Sequence, residues 1–254
     1  VDRRLGTTKM HHKIILGDCL EELKKIPENS VDMVLTDPPF FVLSQNKRLE
    51  NAGWDKFESI THFMEFTKKW LQECYRILKQ DSQLYTFWSQ MWIKEFWNIE
   101  QPFEIKRMLI WNNPCKTKGF TNRMYLWNYT PIFFLSKGKI RKFNASFLEK
   151  ENVDVFRFPA PQTNFKKDRQ LHFLQKPLKL VKILIKNSSD ENDLILDPFL
   201  GSGTTSVACE QLGRNSIGIE INREYCQIAY ERLKQEVEQT KFNREKSTIE
   251  KMGF

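Results

Sequence analysis

Leu194-Ile-Leu-Asp-Pro-Phe-Leu-Gly-Ser-Gly-Thr-Thr205 is the stretch that decides the fold. A short apolar run ends in Asp197-Pro198, passes through a glycine turn and enters a helical pattern at Thr204. That order reads as strand, turn and helix. Gly201 and Gly203 allow a sharp turn and a close backbone approach to a ligand. The helix start offers unpaired N–H groups and the positive end of a dipole to a carboxylate or phosphate. The next apolar run ends in Gly218-Ile-Glu220. An acid about 20 residues beyond such a turn is placed to accept from ribose hydroxyls. Together these features describe a site for a nucleoside-containing ligand. It is not the dinucleotide fingerprint, whose third glycine would stand where Ser206 does. Nor is it a P-loop, because no Gly-Lys-Ser/Thr opens the helix.

Working outward, short apolar runs alternate with helical patterns along the chain. The alternation predicts strands over 13–16, 31–36, 83–88, 105–111, 131–135, 194–197 and 216–219. It predicts helices over 19–25, 61–78, 90–97, 177–187, 204–212 and 223–239. Pro177 suits a first helical turn and Gly213 a helix C-cap. The implied architecture is an α/β domain with a doubly wound, mostly parallel, seven-stranded sheet. Ligands of such sheets bind at the carboxyl ends of strands. A second strand ends there in an unusual loop, Val31-Asp-Met-Val-Leu-Thr-Asp-Pro-Pro-Phe40. Pro38 and Pro39 fix the backbone and leave carbonyls free to accept. Asp37 and the Pro38 carbonyl can take both hydrogens of an exocyclic amine while Phe40 stacks on its ring.

The 254 residues are enough for one large domain or two small ones. No apolar run approaches the ~18 residues of a membrane-spanning helix. Val1–Lys9 is polar and lacks the apolar core of a signal peptide, and residues 1–12 are read as a tail. Five scattered cysteines without a C-x-x-C argue against a zinc ribbon or a disulfide framework, for a reducing cytoplasm, and against a bound metal. The net charge is +8. Lys137–Lys186 alone holds thirteen Lys/Arg against four Asp/Glu, so the remainder is near neutral. Its cations are interleaved with Phe143, Phe147, Phe156, Phe158, Phe165 and Phe173, a mixture suited to phosphate contact and base stacking. It reads as a long irregular insertion.

Asp37-Pro-Pro-Phe40 and Asp197-Pro-Phe-x-Gly-x-Gly203 resemble the catalytic and cofactor motifs of S-adenosylmethionine-dependent DNA amino-methyltransferases. Catalytic motif first and cofactor motif last resembles the family's β group, a circularly permuted form of the Rossmann-like methyltransferase fold. Gly17-Asp18-Cys19, Gln175-Lys176-Pro177-Leu178 and Gly218-Ile-Glu-Ile-Asn222 match further motifs in place. The resemblance runs from about Lys13 to Leu233, and the basic insertion falls where the β group places its target-recognition region. There are two departures. Phe40 stands where the family's tetrad usually has tyrosine, and His172-Phe-Leu174 replaces the usual His-Pro-Thr, so His172 is given no role.

The resemblance implies a catalytic half over 13–136, a target-recognition insertion over 137–172, a cofactor half over 173–239 and a C-terminal tail over 240–254. It implies Asp37, Pro38, Pro39 and Phe40 as the catalytic tetrad. For S-adenosylmethionine it implies Glu220 on the ribose, and Asp18 with the Cys19 backbone on the adenine edge. Lys176 and the turn Gly201, Ser202, Gly203 and Thr204 would take the methionine carboxylate. Phe199 would line the pocket, with Asp37, Asp197 and Asn222 completing the set. Lys139, Arg141, Lys142, Lys166, Lys167 and Arg169 are the expected nucleic-acid contacts. The expected reaction is methylation of adenine N6 in duplex DNA after base flipping. Cytosine N4 is the alternative within this chemistry, and a non-catalytic nucleic-acid-binding protein the alternative outside it. The setting is a prokaryotic cytoplasm, at the nucleoid, as part of a restriction system. A homodimer and a separately acting restriction endonuclease are left open as partners, and a membrane is not expected.

Overall fold

In a computed structural model, residues 2–5, 10–41, 57–114, 127–140, 142–144, 153–161 and 175–251 are described. The strands are β1 (Asp2–Leu5), β2 (His12–Leu16), β3 (Val31–Thr36), β4 (Leu78–Phe87), β5 (Glu104–Asn112), β6 (Tyr129–Lys137), β7 (Val155–Arg157), β8 (Leu194–Asp197) and β9 (Asn215–Glu220). The helices are α1 (Cys19–Leu23), α2 (Ile60–Ile77), α3 (Ile93–Asn98), α4 (Leu178–Ser188), α5 (Thr204–Leu212) and α6 (Arg223–Lys251). The strands form one sheet in the order β1-β2-β9-β8-β3-β4-β6-β5-β7. From β2 through β4 every pairing is parallel. β6 is antiparallel to both its neighbours, β4 and β5.

The sheet is covered on both faces because its central strands alternate between two cores. On one face Val34, Leu84, Phe133 and Leu196 pack with Phe63, Trp70, Leu71 and Cys74 of α2. On the other, Met33, Leu35, Tyr85, Phe134 and Ile195 pack with Leu180, Leu184 and Ile185 of α4 and Ala208 of α5. Period-two alternation in the strands makes this division. The stripe Phe63, Thr67, Trp70, Leu71, Cys74 and Ile77 gives α2 its single buried face. Burying one large apolar side chain contributes roughly 1.5–3 kcal/mol. Stacked rings such as Phe96 and Phe133, 4.2 Å between centroids, add a smaller directional term.

The seven predicted strands are the seven interior strands of the sheet. Two edge strands add to them. β1 comes from the segment read as a tail and pairs antiparallel with β2. β7 comes from the segment read as irregular and pairs parallel with β5. Neither carries a long apolar run, and both are held through backbone pairing at a sheet edge, which leaves little trace in composition. α6 continues well past 239, to Lys251. β4 begins at Leu78, directly after α2, and its early residues bulge: pairing with β3 jumps from Val31–Leu78 to Met33–Gln83, with Asp81 at φ +64°.

The sheet has two functional ends. β3, β4, β5, β8 and β9 all point their carboxyl ends one way. Lys137 pairs with Ser82 near the start of β4, so the end of β6 lies at the opposite end of the sheet. No described helix is long and apolar enough to cross a membrane.

Candidate active site

The carboxyl ends of β3, β8 and β9 surround a cavity of about 340 Å³. Both unusual loops open into it. Asp37, Pro38, Pro39 and Phe40 line one side, and Asp197, Phe199, Gly201, Ser202 and Thr204 the other. Asp18, Cys19, Lys176 and Glu220 complete the rim. Residues far apart in sequence meet here because β3 and β8 are parallel neighbours, pairing Met33 with Ile195 and Val34 with Leu196.

A hydrogen-bonded clamp joins the two loops. Thr36, the last residue of β3, donates to Asp197 Oδ1 at 2.8 Å, and Thr205 in the first turn of α5 donates to Oδ2 at 2.6 Å. The Phe199 backbone N–H also donates to Oδ1, at 3.1 Å. Asp197 is 4% exposed. Burial pushes its carboxyl up to about 6, against the pull of those three donors. Asp197 is expected among the cofactor ligands; it lines the cavity, and three donors of the protein itself already bond its oxygens. Thr36 and Thr205 escaped sequence reading because a threonine at a strand end or helix start has many ordinary uses.

Gly203 begins α5 at φ +84°, and a Cβ there would lie 2.9 Å from both Cα and Cβ of Ala229 in α6. Only glycine serves on both counts. A Cβ on Gly201 would meet nothing within 4 Å, so its open side faces space that a ligand can use. Arg232 of α6 holds the turn from behind, donating to the Ser202 carbonyl and to the hydroxyls of Ser202 (2.9 Å) and Thr204 (3.4 Å). The hydroxyls of Ser202 and Thr204 thus face Arg232. No sequence signal marked Arg232.

Glu220 ends β9 at the cavity wall. Its Oε2 accepts from the Gly201 N–H at 2.7 Å and its Oε1 from the Asn222 N–H at 2.8 Å. Each oxygen keeps a second lone pair for an incoming hydroxyl. Burial pushes the carboxyl above its ordinary range, opposed by those backbone donors. Asn222 does not line the cavity: its side chain caps α6, accepting from the N–H groups of Glu224 and Tyr225. Its reading as a cofactor ligand is corrected accordingly, to a helix cap and support for Glu220. Asp18 lines the cavity and caps α1 through Oδ1, accepting from Leu20 N–H at 2.8 Å and Glu21 N–H at 3.3 Å. Cys19 is buried, and burial pushes its thiol up to about 12, so it stays neutral. Ile221 is 57% exposed at the rim and Tyr225 lines the wall. These two platforms for a flat ring were missed, although Ile221 directly follows the acid that was read.

On the other loop, Lys176 makes an ion pair with Asp37 through Oδ2. Its ammonium also lies 5.4 Å from the Phe40 ring centroid and 5.1 Å from that of Phe87. Lys176 is expected on the methionine carboxylate beside the glycine turn; in the structure it lines the same cavity and pairs with Asp37. Asp37 Oδ1 is buried with no donor among the described residues. Burial pushes the Asp37 carboxyl above the usual range, and Lys176 opposes that shift. Asp18, Asp37, Asp197 and Glu220 make four acids among the described lining residues, against the single cation Lys176. Such a cavity suits a ligand with net positive charge.

The basic insertion is divided. Lys139 and Lys142 lie just beyond Lys137, at the end of the sheet opposite the cavity. Lys142 is paired with Asp190 at 2.9 Å and Asp193 at 2.8 Å, on the loop between α4 and β8. These two lysines, expected as nucleic-acid contacts, thus lie at the end of the sheet away from the cavity. The chain returns through β7, whose Arg157 pairs with Asn112 at the end of β5, and Ala160 N–H then bonds Asn113 at the cavity end. Arg141, Lys166, Lys167, Arg169 and His172 lie outside the described residues. Among the described residues no group of His, Cys, Asp and Glu is arranged to hold a metal ion.

Comparison with known proteins agrees with this geometry. A family model described as DNA methylase matches residues 31–231. The chain is 32% identical over 244 residues to the type II methyltransferase M.HinfI of Haemophilus influenzae, covering 87% of this chain and 68% of that protein. It is 31% identical to the type II methyltransferase M.HpaI of Haemophilus parainfluenzae, covering 89% of this chain and 76% of that one. Among solved structures, the PvuII DNA methyltransferase (cytosine-N4-specific) superposes with a TM-score of 0.72 at 19% identity, over 87% of this chain and 86% of that chain, which shows a shared fold. The M1.HpyAVI–SAM complex superposes with a TM-score of 0.67 at 26% identity, over 87% of this chain and 98% of that one. With both motif loops inside the matched span and facing one cavity, the chain belongs to the DNA methylases that use S-adenosylmethionine.

Proposed function

We propose that this DNA methyltransferase modifies adenine at N6 in duplex DNA, at a specific site, as the modification arm of a restriction system. One observation carries the reading: the amine-accepting loop Asp37–Phe40 and the cofactor loop Asp197–Thr204 face a single cavity. The cavity fits the cofactor. Its excess of acids suits a molecule carrying a sulfonium and an ammonium against one carboxylate. The open side of Gly201 and the second lone pairs of Glu220 suit the ribose and the methionine portion.

S-adenosylmethionine supplies a methyl that is already electrophilic, so the target nitrogen forms the new N–C bond while the old C–S pair stays on sulfur. The protein's task is alignment and activation of the amine. An aromatic amine is a weak nucleophile because its lone pair is delocalised into the ring. Asp37 and the Pro38 carbonyl, accepting its two hydrogens, would localise that pair and aim it. Phe40 would stack on the extruded base. No general base is needed before attack, since the extra proton leaves afterwards to water. Reaching this pocket requires the base to leave the duplex.

Adenine is favoured over cytosine by the aspartate in the first position of the tetrad, a position where the resembling cytosine enzymes more often carry serine. A purine also gains more from stacking on Phe40. The relatives M.HinfI and M.HpaI, named as type II methyltransferases, support a role beside a separately acting restriction endonuclease and hence a place in a prokaryotic cytoplasm. Lys166, Lys167 and Arg169, between two segments that both reach the cavity end of the sheet, remain the proposed phosphate contacts within the 137–172 insertion. The test is transfer of tritium from labelled cofactor to duplex DNA, followed by nucleoside digestion. We expect the label in N6-methyladenine; label in N4-methylcytosine alone would overturn the assignment.

A further inference from the structure

The ion pair between Lys176 and Asp37 has no counterpart in the roles derived above. Lys176 stands just before α4, lines the cavity and is 9% exposed. Its ammonium is fixed from three sides, by the Asp37 carboxylate and by the Phe40 and Phe87 rings. A cation between aromatic faces is held by their quadrupoles, so this lysine is seated in a built pocket. Two of its three neighbours belong to the Asp37–Phe40 loop itself. We propose that Lys176 is a positioning residue for methyl transfer: it holds Asp37 ionised and oriented as an acceptor for the target amine, and braces the Phe40 ring beside it. The inference rests on the reading of Asp37 as that acceptor.

The surroundings give the pair its purpose. The other charged or titratable groups lining the cavity are Asp18, which caps α1, Cys19 of α1, Asp197 at the end of β8, Glu220 of β9 and Tyr225 of α6, while β4 contributes only Phe87. Asp37 and Asp197 oppose one another's negative charge, and burial opposes it on Asp37 as well. A protonated Asp37 would offer an O–H donor to the target nitrogen and engage the lone pair that must attack. Lys176 is the one described lining residue whose charge works the other way. With Oδ2 on Lys176, Oδ1 is a buried acceptor without a donor among the described residues.

The experiment compares the wild-type protein with Lys176→Met, Lys176→Gln and Lys176→Arg. Single-turnover transfer to duplex DNA is followed against pH at saturating cofactor, and cofactor affinity is measured separately by calorimetry. In Lys176→Met and Lys176→Gln we expect the acid limb of the transfer rate to move up by about one pH unit or more, because the opposing cation is gone. Cofactor affinity should stay within about threefold of wild type. Lys176→Arg should bring the limb most of the way back. An unmoved limb in both neutral variants overturns the proposal. If cofactor affinity then falls at least about tenfold, Lys176 serves the methionine carboxylate instead. Asp37→Asn in the same assay separates the two levels of inference. Loss of transfer in Asp37→Asn with an unmoved limb in the lysine variants refutes only the role of Lys176. Undiminished transfer in Asp37→Asn refutes the reading of Asp37 itself.

Discussion

Asp37 and Asp197 stand at equivalent places, each followed by proline, each at the carboxyl end of one of two neighbouring parallel strands. Their surroundings differ. Asp197 receives three hydrogen bonds from Thr36, Thr205 and the Phe199 backbone, all within the protein. Asp37 has one oxygen on a lysine and one without a donor among the described residues. A carboxylate given three donors by its own fold holds the structure together, and one with an oxygen left without a donor at a cavity is equipped for chemistry. The same dipeptide thus serves two purposes, and what distinguishes them is the count of donors that folding delivers.

Replacing each aspartate by alanine should break the comparison most sharply. Asp37→Ala should lower transfer by about a thousandfold, since the lost contact strengthens as the nitrogen attacks, while cofactor affinity changes by less than about tenfold. Asp197→Ala should act on folding. It leaves two threonine hydroxyls buried without their acceptor, which costs about 2–4 kcal/mol. Melting should fall by roughly 5–15 °C, with cofactor affinity falling alongside because the glycine turn is no longer pinned. Single-turnover assays, calorimetry and thermal melts of the two variants check both expectations. Similar profiles for the two would dissolve the distinction.

The pH dependence sharpens it. Burial raises the carboxyls of Asp37, Asp197 and Glu220 above their unfolded values, for Asp197 to about 6. Such groups hold protons more tightly in the folded state. Their contribution to stability is full below the unfolded value near 4 and is lost as pH rises through the folded one. Without cofactor, melting temperature should therefore decline between about pH 4 and 6. A cationic cofactor favours the ionised forms, so its affinity should increase over the same range. Melts and calorimetry at several pH values read both trends. An affinity that falls with rising pH would contradict the electrostatic reading of the cavity.

The smallest effect belongs to Lys142→Gln. Lys142 sits on Asp190 and Asp193 at the end of the sheet away from the cavity. An exposed pair of this kind contributes about 0–1 kcal/mol. The slope of DNA affinity against salt should stay unchanged, whereas a reduction would return Lys142 to the DNA surface.

The interior of the fold is legible because its strands carry short apolar runs and its helices carry stripes. Leu194–Asp197 and Thr204–Leu212 were read with the bounds that the structure shows. β1 and β7 were not legible, since an edge strand is held by its backbone. The two motif loops were legible through proline, glycine and acid at strand ends. Three parts of the site were not. Arg232 reaches the glycine turn from α6, Lys176 pairs with Asp37, and Asn222 turns its side chain to cap α6. Each depends on which way a polar side chain points once packing is complete, and periodicity carries no record of that. Charge alone likewise does not tell that the direction of β6 takes Lys139 and Lys142 to the end of the sheet away from the cavity.

The most direct test of two loops serving one reaction is a structure of the protein with duplex DNA and a non-reactive cofactor analogue. We expect an extruded adenine with its N6 about 3–3.5 Å from the position of the transferable group. Its amine should donate to Asp37, its ring should lie on Phe40, and Asp197 should touch neither ligand. An extruded base whose amine avoids Asp37, or a cofactor lying outside the cavity between β3, β8 and β9, would contradict this.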